Sequence, residues 1–163
     1  MIIKWSYIAL FIGILTISCC CEAKKKIQRH AIEDIHGRPI SFLLKDGKVG
    51  YYTENGEKII VNVVRGIEFN GGKDSLSAYL LTKYINHPSY NYQEYNVYEY
   101  FFILFDKNLD IKEVRIMYRK YADNERFYYD SIFIEALKNT TGMWYKTVEN
   151  QEWYIYLHRQ KIY

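Results

Sequence analysis

The pattern of apolar and polar residues changes three times along this chain. Apolar side chains form one continuous run near the start, and a polar stretch follows it. They then cluster in short strand-like runs, and the last part of the chain mixes helical and strand spacing. Helices repeat an apolar face about every 3.6 residues, whereas strands alternate at every second residue. The pattern therefore divides the chain into residues 1–18, 19–37, 38–66 and 67–163.

The first apolar run, over residues 5–18, follows the basic residue Lys4. A membrane-spanning helix needs about 20 apolar residues, whereas the apolar part of a secretion signal needs about 7–15 after a basic start. The length favours a signal peptide over residues 1–18. A membrane anchor that is retained over residues 5–21 is the alternative.

All three cysteines follow at once, as Cys19, Cys20 and Cys21. Adjacent cysteines do not easily bridge each other, and the chain offers no distant cysteine as a partner. Residues 16–18 together with Cys19 resemble the recognition sequence of bacterial lipoproteins, in which a cysteine after a small residue is acylated. The resemblance implies lipid attachment at Cys19, or at Cys20 if cleavage falls one residue later, and makes residues 19–37 a polar tether.

Residues 38–66 predict a small β-meander. The three apolar clusters of this region cover residues 40–44, 49–53 and 58–64. Asp46-Gly47 and Asn55-Gly56 separate them, and such pairs readily take the positive φ angles that tight hairpin turns require.

Residues 67–163 predict the element order α-β-β-α-β. Asp74 or Ser75 can cap the first helix, which ends near Asn86 because the residue before a proline avoids helical geometry. Asp130 can cap the second helix, over residues 130–139. The three strands are expected over residues 98–105, 111–118 and 152–158. In the second strand, Val114, Ile116 and Tyr118 are expected on one face and Arg115 on the other.

This order of elements resembles the C-terminal domain of the TonB family. The stretch from residue 67 to 76 is similar to the acidic-Phe-Pro-Gly-Gly sequence that opens the first helix of the family, with Asn70 in place of the proline. Pro88 lies where the family has Tyr-Pro, and Met143 and Trp144 resemble the methionine and tryptophan that close its second helix. The first long strand and its turn are matched by Phe101, Ile103, Phe105, Asp106 and Lys107.

Three further residues depart from the family pattern. Val97 and Leu109 stand where the family commonly has glycine, and Tyr145 replaces a proline that follows the tryptophan. The resemblance therefore implies a divergent member. Its fold class would be α+β, with a three-stranded antiparallel sheet in residues 67–163 and the meander in front of it.

The resemblance also implies a binding module rather than an enzyme. In the family, the last strand is an exposed sheet edge that captures an extended segment of an outer-membrane receptor by strand addition. The matching edge here would be formed by Glu152, Trp153, Tyr154, Ile155, Tyr156, Leu157 and His158. Its outward face would carry Tyr154, Tyr156 and His158.

Composition narrows the function further. The chain has 163 residues and a formal charge of +3, which fits one domain with a small appendage and is too little charge to indicate a nucleic-acid partner. Only 2 prolines are present, so the chain lacks the long proline-rich arm of a force-transducing TonB. A lipoprotein with a protein-binding module is therefore favoured over the alternative, a divergent TonB energy transducer with a retained anchor that serves transport through outer-membrane receptors.

The remaining expectations concern partners and chemistry. His30, His36, His87 and His158 are scattered, and the sequence has no phosphate loop or hydrolase motif, so we expect no metal, no cofactor and no enzymatic activity. The expected location is the bacterial cell envelope, membrane-anchored and facing the periplasm, with an envelope or outer-membrane protein segment as partner. A homodimer through paired edges stays open. So does a meander that pairs with the sheet edge and blocks it.

Overall fold

The computed structural model describes most of the chain after residue 31, including the last six residues of the expected tether. The described residues are 32–44, 49–61, 66–87, 97–120 and 128–162. The predicted signal peptide, the lipid attachment at Cys19 or Cys20 and the turn at residues 45–48 lie outside them.

The described residues form a mixed α+β protein with two helices and three small antiparallel sheets. The meander strands are β1 (Ser41–Leu43), β2 (Val49–Tyr52) and β3 (Lys58–Ile60). They are followed by β4 (Ile67–Phe69), α1 (Gly72–Ile85), β5 (Val97–Asp106), β6 (Ile111–Lys120), α2 (Tyr129–Lys138), β7 (Trp144–Lys146) and β8 (Trp153–Ile162).

The three sheets have the strand orders β1-β2-β3, β4-β7 and β6-β5-β8. The predicted meander is therefore confirmed, and so are the two helices and the strands that were expected after residue 67. The short pair β4-β7 was not predicted, because each of its strands has only three residues. β8 extends four residues beyond His158, and Glu152 lies just before its first residue.

The central strand β5 is buried on both faces. Each of residues 101–105 is at most 1% exposed. Phe101, Ile103 and Phe105 belong to the core beneath α1 and α2, whereas Phe102 and Leu104 belong to a second core beneath the meander. An unbroken apolar run is the sequence pattern expected of a strand that is covered on both sides.

The meander packs on the face of the central sheet opposite the helices. Ile40, Tyr51, Ile59 and Val61 contact the second core. In the described residues the meander strands pair only with one another. The alternative, in which the meander pairs with an edge of the central sheet and blocks it, is therefore not supported by these residues. The segment before the meander instead reaches β6, where the Ile35 amide donates to the Ile116 carbonyl at 2.9 Å.

A bulge in β6 changes the direction of one predicted side chain. The register between β5 and β6 shifts so that Tyr100 lies opposite Tyr118 and the next residue, Phe101, lies opposite Ile116. The extra residue, Met117, reverses the alternation. Val114 and Ile116 face the helices as predicted, but Tyr118 is 55% exposed, so the prediction that it shares their face is wrong.

Neither helix begins with the cap that the sequence predicted. Gly71, with φ of 84°, is the N-cap of α1, and Ser75 Oγ donates to the Gly71 carbonyl at 2.8 Å. A positive φ suits glycine because it has no Cβ. Tyr128 is the N-cap of α2, and the carboxylate of Asp130 pairs with Arg119 instead of capping the helix. The end of α1 before Asn86 is confirmed.

One buried arginine joins the meander to the central sheet. Arg115 is 2% exposed and donates to the carbonyl oxygens of Pro39, at 3.1 Å, and of Tyr52. Its Nε lies 2.9 Å from Oε1 of Glu113, and the other oxygen of Glu113 accepts the Glu54 amide at 2.6 Å. Burial raises the pKa of Glu113, because the charged carboxylate is partly removed from water. The attraction of Arg115 opposes this effect.

We expect Arg115→Met to lower the free energy of unfolding by about 3 kcal/mol, because Glu113 and two carbonyls then lose a buried cationic partner. Urea denaturation measures the change. Lys112→Met is the matched control on the same strand: Lys112 is exposed, so its ion pair with Asp106 should add little stability, and we expect no measurable effect. Equal stabilities of the two variants would contradict the role given to Arg115.

Candidate functional site

The last strand forms one end of the central sheet. β8 pairs with β5 over its whole length, from Trp153 opposite Asp106 to Ile162 opposite Val97. Because β5 pairs with β6 on its other side, the strand order of the described residues ends at β8. Of the seven residues predicted to form the peptide-binding edge, all except Glu152 belong to this strand. Glu152 is exposed, with its carboxylate 3.6 Å from the ammonium of Lys107.

The prediction of an outward face on β8 is wrong. Tyr154 is fully buried in the core beneath the helices, and its hydroxyl donates to the Val148 carbonyl at 2.9 Å. The ring of Tyr156 lies 4.9 Å from that of Trp144, and His158 is 4% exposed. The alternation of β8 could not reveal this, because both sets of residues between 153 and 158 are apolar or aromatic and both faces of the sheet are covered there.

The opposite set of β8 residues packs toward the meander. Ile155 is fully buried in the second core, with Trp153 and Leu157 packed against it. Because residues 153–158 are covered on both faces, this part of β8 offers a partner its main-chain edge.

An open groove of about 390 Å³ runs along this edge. Four consecutive residues of β8 line it, so the groove follows the edge of the strand rather than one face. Its other wall is built from β4 and the start of α1. The lining residues are Ile67, Glu68, Gly72, Lys73, Tyr156, Leu157, His158 and Arg159. Glu68 is held in this wall by β7, since its carboxylate accepts the hydroxyl of Tyr145 at 2.7 Å.

His158 is kept neutral beside the groove. Burial lowers its pKa, and the nearby charge of Lys73 lowers it further, although the bond with Gln160 opposes both. Its Nε2 lies 3.1 Å from Oε1 of Gln160, whose amide donates to the carbonyl of Lys161 at 2.9 Å. Gln160 was missed because the predicted strand stopped at His158.

A second buried polar group lies in the middle of the sheet. Glu99 is fully buried and stands opposite Gln160 of β8 and Arg119 of β6. Burial and, to a lesser extent, the neighbouring carboxylate of Asp130 raise the pKa of Glu99 to about 9, although the attraction of Arg119 opposes the shift. Glu99 therefore keeps its proton at neutral pH, and its hydroxyl can donate to Asp130. A single acidic residue within an apolar run was the only sequence sign of this group.

The Glu99 group links elements rather than meeting a substrate. Glu99 has no exposed surface, and the guanidinium of Arg119 binds the carboxylate of Asp130, which ties β6 to α2. Within the described ranges, no three His, Cys, Asp or Glu side chains are placed to hold a metal ion. Neither described helix is long and apolar enough to cross a membrane.

Comparison with protein-family models, with curated proteins and with solved structures found no match to this chain. The described residues define the class of the protein: it is a mixed α+β protein in which two helices and a β-meander cover opposite faces of a three-stranded antiparallel sheet.

We expect the free energy of unfolding to fall as the pH rises toward about 9, because folded Glu99 keeps its proton while the unfolded chain releases it near the ordinary value of 4.5. The slope from this one proton is at most about 1.4 kcal/mol per pH unit. Glu99→Gln should flatten the profile. Urea denaturation between about pH 6 and pH 9 measures it.

Glu135→Gln is the control for this series, because Glu135 is an exposed residue of α2. It should keep the slope of the unmodified protein. The same slope in Glu99→Gln as in this control would contradict a protonated Glu99.

Proposed function

We propose that this protein is a membrane-anchored lipoprotein of the bacterial cell envelope that faces the periplasm and captures an extended polypeptide segment by adding it as a strand to β8. The observation that carries the proposal is the position of β8 at the end of the central sheet, beside an open groove. The strand provides ten residues for pairing.

Strand addition follows from the chemistry of a sheet edge. Main-chain N–H and C=O groups at an edge pair with an incoming chain, and this pairing supplies affinity with little regard for sequence. Side chains at alternate positions of the guest then contact the residues that flank the edge, which supplies selectivity. In this protein the groove along residues 156–159 gives such a guest room beside β8.

The fold that we propose is a divergent form of the TonB C-terminal domain. The order α1-β5-β6-α2-β8 supports it, because this is the α-β-β-α-β order that the sequence resemblance implies. The pair β4-β7 and the meander are additions to that order. The meander lies on the sheet face opposite the helices, which leaves the edge at β8 to a partner.

To test strand addition, we would titrate the protein with peptides tiled over periplasm-facing segments of envelope proteins, using nitrogen–proton correlation spectra. A binding peptide should shift the amide signals of β8 and show cross-strand contacts between its own backbone and β8. The β6 edge serves as the internal control, since the segment around Ile35 already donates to it. Binding only at the meander or the helices would contradict the proposal.

The lipid anchor has a separate test. Cells that express the protein are grown with a palmitate analogue, and we expect label on the unmodified chain and loss of the label with Cys19→Ala or, if cleavage falls one residue later, with Cys20→Ala. Intact mass then shows whether residues 5–21 persist. An unlabelled protein that retains them would contradict the lipoprotein and favour the energy transducer.

A further inference from the structure

Three tyrosines and three basic residues share one face of the central sheet. Tyr98 lies opposite Lys120 on one side and Lys161 on the other, while Tyr100 lies opposite Tyr118 and Arg159. Opposed residues of neighbouring strands share a face. We call this set the tyrosine–cation strip: Tyr98, Tyr100, Tyr118, Lys120, Arg159 and Lys161.

The strip lies on the meander side of the sheet but beyond the part that the meander covers. The meander contacts β5 at Phe102 and Leu104, which are at most 1% exposed, whereas Tyr98 and Tyr100 are only half-buried. Tyr118 is 55% exposed. The strip contains no acidic residue, so its formal charge is positive.

Arg159 is ordered by the rings beneath it. Its guanidinium carbon lies 4.3 Å from the ring centroid of Tyr98 and 5.6 Å from that of Tyr100, and the ammonium of Lys161 lies 5.8 Å from the ring of Tyr98. Stacking on a ring holds a guanidinium in place while its N–H groups still point outward in the ring plane. A guanidinium held in this way suits a carboxylate, which accepts two parallel hydrogen bonds.

We propose that the segment added to β8 carries acidic side chains at two alternate positions, beside Arg159 and Lys161; this inference rests on the proposed function. Both cations belong to β8, the strand that the guest would join. A guest residue next to Arg159 and the residue two positions along would lie on the strip, where opposite charges across a strand pair stabilise the pairing.

Apart from Arg159, the residues that line the groove along this edge carry no net charge. There the groove is lined by Lys73 and by the neutral His158, and its one carboxylate, on Glu68, is engaged by the hydroxyl of Tyr145. The preference for an acidic segment therefore comes from Arg159 and Lys161, since the charges of Lys73 and Glu68 offset each other.

Other anionic partners fit the strip less well. The meander stands on the same face beside the strip, so a flat membrane surface would meet the meander before the whole strip. Bases of a nucleic acid would need open ring faces, yet one face of Tyr98 already carries Arg159. An extended chain along the edge needs neither a flat approach nor an open ring.

The test uses three fluorescent peptides of equal length, which alternate threonine with glutamate, with glutamine or with lysine. Their affinities for the full-length protein in detergent are measured by fluorescence anisotropy at low and raised salt. Two opposite-charge pairs, each worth a factor of about two to five, predict that the glutamate peptide binds about tenfold more tightly than the glutamine peptide. The lysine peptide should bind least, and salt should reduce the preference.

Variants locate the effect. The double variant Arg159→Gln/Lys161→Gln should remove the preference for glutamate but keep binding of the glutamine peptide. Lys83→Gln/Lys138→Gln removes the same charge from the two helices and should keep the preference. Thermal unfolding checks that both double variants remain folded.

The other possible outcomes show whether the acidic preference alone fails or whether strand addition fails as well. Equal binding of the glutamate and glutamine peptides overturns the acidic partner and leaves strand addition standing. Failure of all three peptides overturns the inference, and together with a negative peptide titration it overturns the proposed function. Binding of oligothymidylate or of phosphatidylglycerol vesicles through Arg159 and Lys161, without peptide binding, also overturns the inference, because the strip then serves another class of partner.

Discussion

The burial of β5 on both faces and along both edges determines the rest of the structure. Residues 101–105 fill two cores at once, so the sheet needs a cover on each side, and α1 and α2 provide one while the meander provides the other. Because β5 lies between β6 and β8, these two strands form the ends of the strand order. The edge on which the proposed function depends is thus a consequence of how one strand is buried.

Local sequence signals predicted the helices and strands, whereas tertiary packing determined which way their side chains point. The apolar run of β5, the glycine-containing meander turns and the helical spacing of α1 and α2 each act within a few residues, so the sequence revealed them. The direction of Tyr154 and His158 depends on a meander more than 90 residues away in the chain, and that of Tyr118 on a bulge that has no residue signature here. The buried Glu99 group likewise depends on α2 and could not be predicted from spacing.

Arginine side chains inside the protein bind groups on other elements, whereas the arginine at the edge of β8 lies over tyrosine rings. Arg115 joins the sheet to the meander through hydrogen bonds to main-chain carbonyls, and a partly buried ion pair between Arg119 and Asp130 joins the sheet to α2. Arg159 instead lies over tyrosine rings at the border of the sheet, where its side chain is exposed. Arg115 and Arg119 therefore hold the layers of the protein together, whereas Arg159, in our proposal, selects an acidic partner.

Amide hydrogen exchange of the protein without a partner tests the central claim most directly. If β8 is an open edge and β5 is paired along both of its edges, the amides of β5 should exchange at the slowest rates in the protein, and β8 should show alternating slow and fast amides. Uniformly slow exchange along β8, at the rate found in β5, would mean that another part of the chain already covers the edge, and it would contradict this account.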